Sequence, residues 1–238
     1  MRIVKCKNYE DMSKRAADFV AAQVLLKPNC VLGLATGNTP IGMYANLAEK
    51  YAAGELDFSG VTSFNLDEYC SITRDDPNSY YTFMQENLFS KVNIKESFLP
   101  NCENADAQAE CEAYEATIAA YGGIDLQVLG IGQNGHIGFN EPDAQLSAVT
   151  HKVALTESTI AVNSALFDDP SKMPTTAYTM GIGTIMKSRR IVLLASGANK
   201  VSALGALLGS KITTGNPASI LLAHPDVTVF ADAAALGE

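Results

Sequence analysis

A chain of 238 residues, 47% hydrophobic and 18% charged, has the composition of a globular domain with a substantial core, in the size range of one α/β unit. A net charge of −9 argues against non-specific nucleic-acid binding, which needs clustered Lys and Arg to displace counterions. The longest apolar runs, "IVLLASGA" (191–198) and "SILLA" (219–223), fall far short of the roughly 20 residues of a membrane span. No polar, Pro/Gly/Ser-rich linker interrupts the sequence, so residues 1–238 are expected to form one domain. The first residues lack the apolar core of a signal peptide, and the five cysteines form no CxxC pair. Together these features lead us to expect a cytoplasmic protein with reduced thiols and no membrane partner.

In chain order, "RIVKC" (2–6) reads as a strand, followed by a helix from about Tyr9 with Met12, Ala16, Phe19, Val20 and Val24 at helical spacing. "CVLGLAT" (30–36) is a nearly continuous apolar run, the mark of a strand covered on both faces. Thr39 is then expected to cap a helix with Pro40 at its first position, running to Gly54. "VTSFNL" (61–66) is the next strand, and Asn78 or Ser79 is expected to cap a helix to Phe89. Residues 104–121 read as helix and "IDLQVLGIG" (124–132) as strand. "VALT", "IVLLAS" and "VTVFAD" supply later strands, with helices near 157–167 and 199–209. This alternation predicts a single-domain, Rossmann-like three-layer α/β sandwich on a mainly parallel sheet, with its ligand at the carboxyl ends of the strands.

Three strand ends and one lysine carry the chemistry. "LATGNTP" (34–40) joins a buried strand to a helix start through a glycine turn, an arrangement that presents free N–H groups and a helix dipole to an anion. It lacks the GK[ST] of a Walker loop. "FNLDEYC" (64–70) places Asp67 and Glu68 after an apolar strand, where they are either a solvated pair or, if partly buried, include a general base, with Asp67 the candidate. "LGIGQNGHIGFNEP" (129–142) sets His136 among glycines with Glu141 five residues on, suiting proton transfer near neutral pH by a ring oriented by a carboxylate. The dinucleotide-loop reading of "GIGQNG" fails because "FNEP" stands where a helix must begin. Lys200, after "IVLLAS", is either exposed or paired with a phosphate. No GxSxG elbow and no HxxxH or HxH spacing is present, so neither a serine nucleophile nor a metal is expected.

Taken together, "GLATGNTP", "FNLDEY" with "DDPNSYYTFM", "GIGQNGHIGFNEP", "AYTMGIGTIM" and "PASILLAHPDVTV" resemble the glucosamine-6-phosphate deaminase family nearly end to end. "GHIGFNEP" is the specific element; 6-phosphogluconolactonases have a similar glycine-histidine turn without that continuation. The resemblance implies conversion of glucosamine 6-phosphate and water to fructose 6-phosphate and ammonia, with no metal or organic cofactor. It implies that His136 opens the sugar ring, aided by Asn134 and Glu141, and that Asp67 takes the C2 proton. It further implies that Thr36, Gly37, Asn38, Thr39 and Lys200 hold the phosphate.

The chain departs from the family pattern in four places. Asn134 stands where some relatives have Asp, and Asn38 where Ser or Gly is common. Ala165 falls at the position of a phosphate-binding arginine. The fourth departure is the missing C-terminal extension of the allosteric hexameric relatives, whose basic effector residues are replaced by His151 and Val153. A monomer or low-order homo-oligomer without that allostery is therefore expected. Ala165 keeps open an altered substrate, either galactosamine 6-phosphate or a sugar with weaker phosphate dependence. A non-catalytic sugar-phosphate sensor and a lactonase are the remaining alternatives.

Overall fold

The computed structural model describes all residues except Cys102, Ala165, Leu166, Asp168, Pro170 and Ser171, and all side chains of the rest except those of Ser158, Val162 and Asn163. Along the chain run β1 (Arg2–Cys6), α1 (Tyr9–Leu26), β2 (Val31–Leu34), α2 (Ile41–Ala52), β3 (Thr62–Asn65), β4 (Asp67–Tyr69), α3 (Tyr80–Asn87), β5 (Glu96–Phe98) and α4 (Ala107–Ala120). There follow β6 (Leu126–Gly130), β7 (His151–Ala154), α5 (Glu157–Asn163), β8 (Thr176–Thr179), α6 (Ile182–Met186), β9 (Arg190–Ala195), α7 (Val201–Leu208), β10 (Val227–Asp232) and α8 (Ala233–Leu236).

Seven strands form an all-parallel sheet in the order β1-β10-β9-β6-β2-β3-β5. Its two faces are covered by separate apolar layers, which explains why β2, β9 and β10 read as continuous hydrophobic runs. On one face Met12, Ala16 and Val20 of α1 and Tyr44 and Leu47 of α2 pack against Leu32, Leu34, Val128 and Leu194. On the other, Tyr114 and Ile118 of α4, Ile185 of α6 and Leu204 and Leu207 of α7 pack against Phe64, Leu129, Leu193 and Val229. The expected three-layer sandwich is therefore the observed one.

Chain order reverses at β2. The chain leaves β2 toward β3 and β5, and later returns to place β6 on the other side of β2. Connections after β2 and β6 thus diverge, opening a crevice at the carboxyl ends of these two strands. Gly33 lets the pair approach: a Cβ there would lie 2.1 Å from the Gln127 side chain across the β2–β6 ladder.

Two expectations need correction. "VALT" does not join the parallel sheet: β7 pairs antiparallel with β8, and β8 with β4, in a three-stranded sheet of its own. Its alternation of half-buried and exposed residues, against the fully buried β2, is the signature of a sheet covered on one face only. Helix α2 begins at Ile41 with Pro40 as its cap and no side-chain capping bond, so Thr39 is not the cap. Instead the Tyr9 hydroxyl accepts from Gly42 N–H at 2.8 Å and donates to the Asn38 carbonyl at 3.0 Å, taking up one free amide of the helix start.

Candidate active site

The glycine-rich stretch after β6 is a tight turn wrapped around the imidazole of His136. Gly132 N–H donates to the His136 carbonyl at 2.9 Å and Gly135 N–H to the Gly132 carbonyl at 3.1 Å. The ring lies directly over Gly132, where a Cβ would approach it to 2.3 Å. This close approach is the reason for a glycine at 132.

Glu141 holds the ring from one side. Its Oε1 lies 3.1 Å from His136 Nδ1, although the ring N–H is not well aligned with it, and also accepts from Thr159 Oγ1 at 2.9 Å. Its Oε2 accepts from Asn134 Nδ2 at 2.6 Å. Burial would raise the pKa of Glu141, but the His136, Asn134 and Thr159 contacts outweigh it and hold the pKa down to about 2. Glu141 is therefore a charged acceptor at neutral pH, and Asn134, an amide, serves it as a donor. With Nδ1 turned to the carboxylate, Nε2 is left on the opposite edge of the ring for a ligand.

Asp67 opens β4 and is 6% exposed. Desolvation, with a smaller contribution from the Glu68 charge, raises its pKa to about 8. The two adjacent carboxylates have different environments. Glu68 accepts from the backbone N–H groups of Tyr69 (2.9 Å), Tyr80 (2.9 Å) and Tyr81 (3.0 Å), which ties it to the start of α3. Burial raises its pKa while those amides oppose the rise. Glu68 is thus tied to the backbone, and Asp67 is the candidate for proton exchange. A Cβ on Gly138 would lie 3.6 Å from Asp67 Oδ2, so the base candidate faces the histidine loop.

The "TGNT" turn after β2 carries Thr36, Gly37, Asn38 and Thr39, with Gly37 at φ +88° and Gly37 and Asn38 exposed. It leads into the N-terminus of α2, where the Tyr9 hydroxyl holds Gly42 N–H and the N-cap itself makes no side-chain bond. Lys200 follows β9, the neighbour of β6, and burial lowers its pKa. Among the described residues it forms no ion pair with a carboxylate. Ala165 lies outside the described residues.

Several contributors have no local sequence signal. The Tyr80 ring packs on those of Tyr69 and Phe139 at centroid distances of 4.6 and 6.2 Å, joining the start of α3 to β4 and to the histidine loop. Thr179 Oγ1 accepts from Phe139 N–H at 3.1 Å, and the Asn216 side chain lies against Gly135, whose φ is +86°. Thr159 reaches Glu141 from α5. Each acts on a partner at least 18 residues away, beyond any motif.

Among the described residues no group of three His, Cys, Asp or Glu side chains is placed to hold a metal ion, and no helix is long and apolar enough to cross a membrane. Cys6, Cys30, Cys70 and Cys111 are buried free thiols. Fold and site together define a class: a doubly wound parallel α/β protein whose candidate proton-transfer groups gather at the topological switch point.

A family model described as glucosamine-6-phosphate isomerases/6-phosphogluconolactonase matches residues 7–230, and the chain belongs to that family. It is 53% identical to a glucosamine-6-phosphate deaminase of Halothermothrix orenii, over 98% of this chain and 97% of the relative. It is 52% identical to one of Clostridioides difficile, over 99% and 95%. Among solved structures, a monomeric glucosamine-6-phosphate deaminase superposes with a TM-score of 0.97 at 43% identity, covering 100% of this chain and 99% of that one. The 6-phosphogluconolactonase of Trypanosoma brucei shares the fold, with a TM-score of 0.81 at 20% identity over 99% and 97%.

Proposed function

We propose that this protein is a deaminating aldose-ketose isomerase that converts glucosamine 6-phosphate and water to fructose 6-phosphate and ammonia. The observation that carries the reading is the facing of a buried, proton-holding Asp67 and the His136–Glu141–Asn134 network across one loop, in a chain about half identical to deaminases.

His136 moves the proton from the anomeric hydroxyl to the ring oxygen, opening the pyranose to the aldehyde. The negative charge of Glu141 stabilises the imidazolium formed on the way. Asp67 takes the C2 proton, giving an enolamine across C1 and C2. Return of a proton to C1 leaves an imine at C2; water adds there and ammonia departs. A carboxyl that ionises near pH 8 is a stronger base than an ordinary one, and the substrate's ammonium at C2 lowers the cost of ionising it. The turn at Thr36, Gly37, Asn38 and Thr39, with the α2 N-terminus and Lys200, supplies amides and a cation for the phosphate.

The chain acts on its small-molecule substrate in the cytoplasm as a monomer, a reading supported by the monomeric deaminase it superposes on. Production of ammonia and fructose 6-phosphate from glucosamine 6-phosphate tests the proposal. Ligand-induced thermal stabilisation without turnover would identify a sensor instead, and hydrolysis of 6-phosphogluconolactone a lactonase. Ala165, standing where the family carries a phosphate-binding arginine, favours a second reading with galactosamine 6-phosphate or a less phosphate-dependent amino sugar. Comparing kcat/KM across phosphorylated and free amino sugars separates the two, and Ala165→Arg is expected to lower KM for the phosphorylated substrate.

A further inference from the structure

Among the described residues the carboxylate of Glu141 has three side-chain contacts, and two of them come from its own loop. Asn134 takes Oε2 and His136 Nδ1 faces Oε1, and both belong to residues 130–141. The third contact, Thr159 Oγ1 to Oε1 at 2.9 Å, comes from α5 in the layer built on the small antiparallel sheet. Thr159 is 9% exposed, whereas Asn134 is exposed, so the threonine bond is the one shielded from water.

The threonine hydroxyl is itself oriented. Thr156, the N-cap of α5, accepts from Thr159 N–H at 3.3 Å and its Oγ1 donates to Thr159 Oγ1 at 3.0 Å. With a lone pair of Thr159 engaged by Thr156, the Thr159 proton is directed at the ionised carboxylate, which only accepts. The chain Thr156, Thr159, Glu141, His136 therefore runs from a helix cap to the imidazole.

We propose that Thr159 is a positioning residue for proton transfer by His136: its hydroxyl fixes Glu141 Oε1 against Nδ1, so that Nε2 is the edge offered to the sugar. The inference rests on the reading of His136 and Glu141 as the ring-opening pair. Thr159 touches no reacting atom. Its effect falls on the fraction of molecules with the ring correctly oriented, and therefore on kcat rather than on the binding of the phosphate end.

The test compares Thr159→Val, which keeps the shape and removes the hydroxyl, with Thr159→Ser, which keeps the hydroxyl, and Glu141→Gln as reference. Ammonia release from glucosamine 6-phosphate gives kcat and KM, and the 15N signals of the His136 ring give its tautomer. Thr159→Val is expected to lower kcat about tenfold with KM within about twofold, and to reduce the Nδ1–H tautomer; Thr159→Ser is expected to recover kcat to within about threefold. Wild-type kcat in Thr159→Val beside an impaired Glu141→Gln overturns this inference alone. So does a loss that Thr159→Ser does not repair, or one that leaves the ring signals unchanged, since either assigns Thr159 to packing. Wild-type activity in Glu141→Gln overturns the reading of the ring-opening pair itself.

Discussion

Asp67 and Gly138 face one another across the site: a Cβ built on Gly138 would stand 3.6 Å from Asp67 Oδ2 and 2.8 Å from Thr179 Oγ1. The glycine lies two residues beyond His136, so the loop that carries one candidate proton-transfer group also walls the other. Backbone there, at φ +58°, leaves room that a side chain would take from Thr179.

Gly138→Ala is accordingly expected to destabilise the fold by about 1–3 kcal/mol, because a left-handed alanine is strained and its methyl displaces Thr179. Denaturant unfolding measures the loss. The same variant should lose activity, as Thr179 holds Phe139 N–H and with it the course of the loop.

Asp67→Asn is expected to abolish turnover and to raise stability in alkaline solution. In the wild type the folded-state pKa of about 8 lies above that of the unfolded chain, so the folded state binds the proton more tightly. The contribution of Asp67 to stability is then full below the unfolded value, near pH 4, and is lost as pH rises through about 8. An asparagine is uncharged throughout. Thermal melts should show the gap between variant and wild type opening from about pH 4 to a plateau above pH 8; a constant gap would contradict the raised pKa.

Catalysis has the opposite dependence on the same group, since the base works only when ionised. The value of kcat/KM is expected to climb with pH toward about 8 as free-enzyme Asp67 loses its proton. A rate profile level between pH 6 and pH 8 would exclude Asp67 as the base in its unliganded environment.

Glu141→Gln removes the charge beside His136 and is expected to reduce kcat by about 10²–10⁴-fold while KM changes little. Its stability effect has the reverse sign to that at Asp67. With a folded-state pKa held down to about 2, the carboxylate stabilises the fold above the unfolded value and loses that contribution as pH falls through about 2. The variant should therefore be less stable than wild type at pH 7 and equal to it in strong acid, as melts at several pH values would register.

Lys200→Met is expected to raise KM for a phosphorylated sugar by about tenfold to a hundredfold, the loss of a charge-assisted contact of about 1.5–3 kcal/mol, and to leave kcat nearly unchanged. For a free amino sugar the same substitution should have little effect. Steady-state kinetics with the two substrates measure the difference.

The sequence by itself determined six of the seven strands of the large sheet, all but the edge strand β5, and the loops that carry the candidate site residues. Continuous apolar runs such as 31–34 and 191–195 mark strands buried on both faces, and the glycine turns that follow them are local features that need no partner to be read. His136 and Glu141 lie five residues apart on one turn, and their pairing is a short-range event. Only the tertiary structure decided what depends on residues distant in the chain. The strand order that puts β6 beside β2 makes the crevice, and the antiparallel β4-β8-β7 sheet buries Asp67. Hydrogen bonding distinguishes Asp67 from Glu68: both carboxyls are buried, but three backbone N–H groups hold Glu68 while no amide among the described residues donates to Asp67. Thr159, Thr179 and Asn216 reach the site from separate elements, where only the packing of layers brings them. Desolvation and long-range hydrogen bonds are properties of the folded volume, which local sequence patterns do not carry.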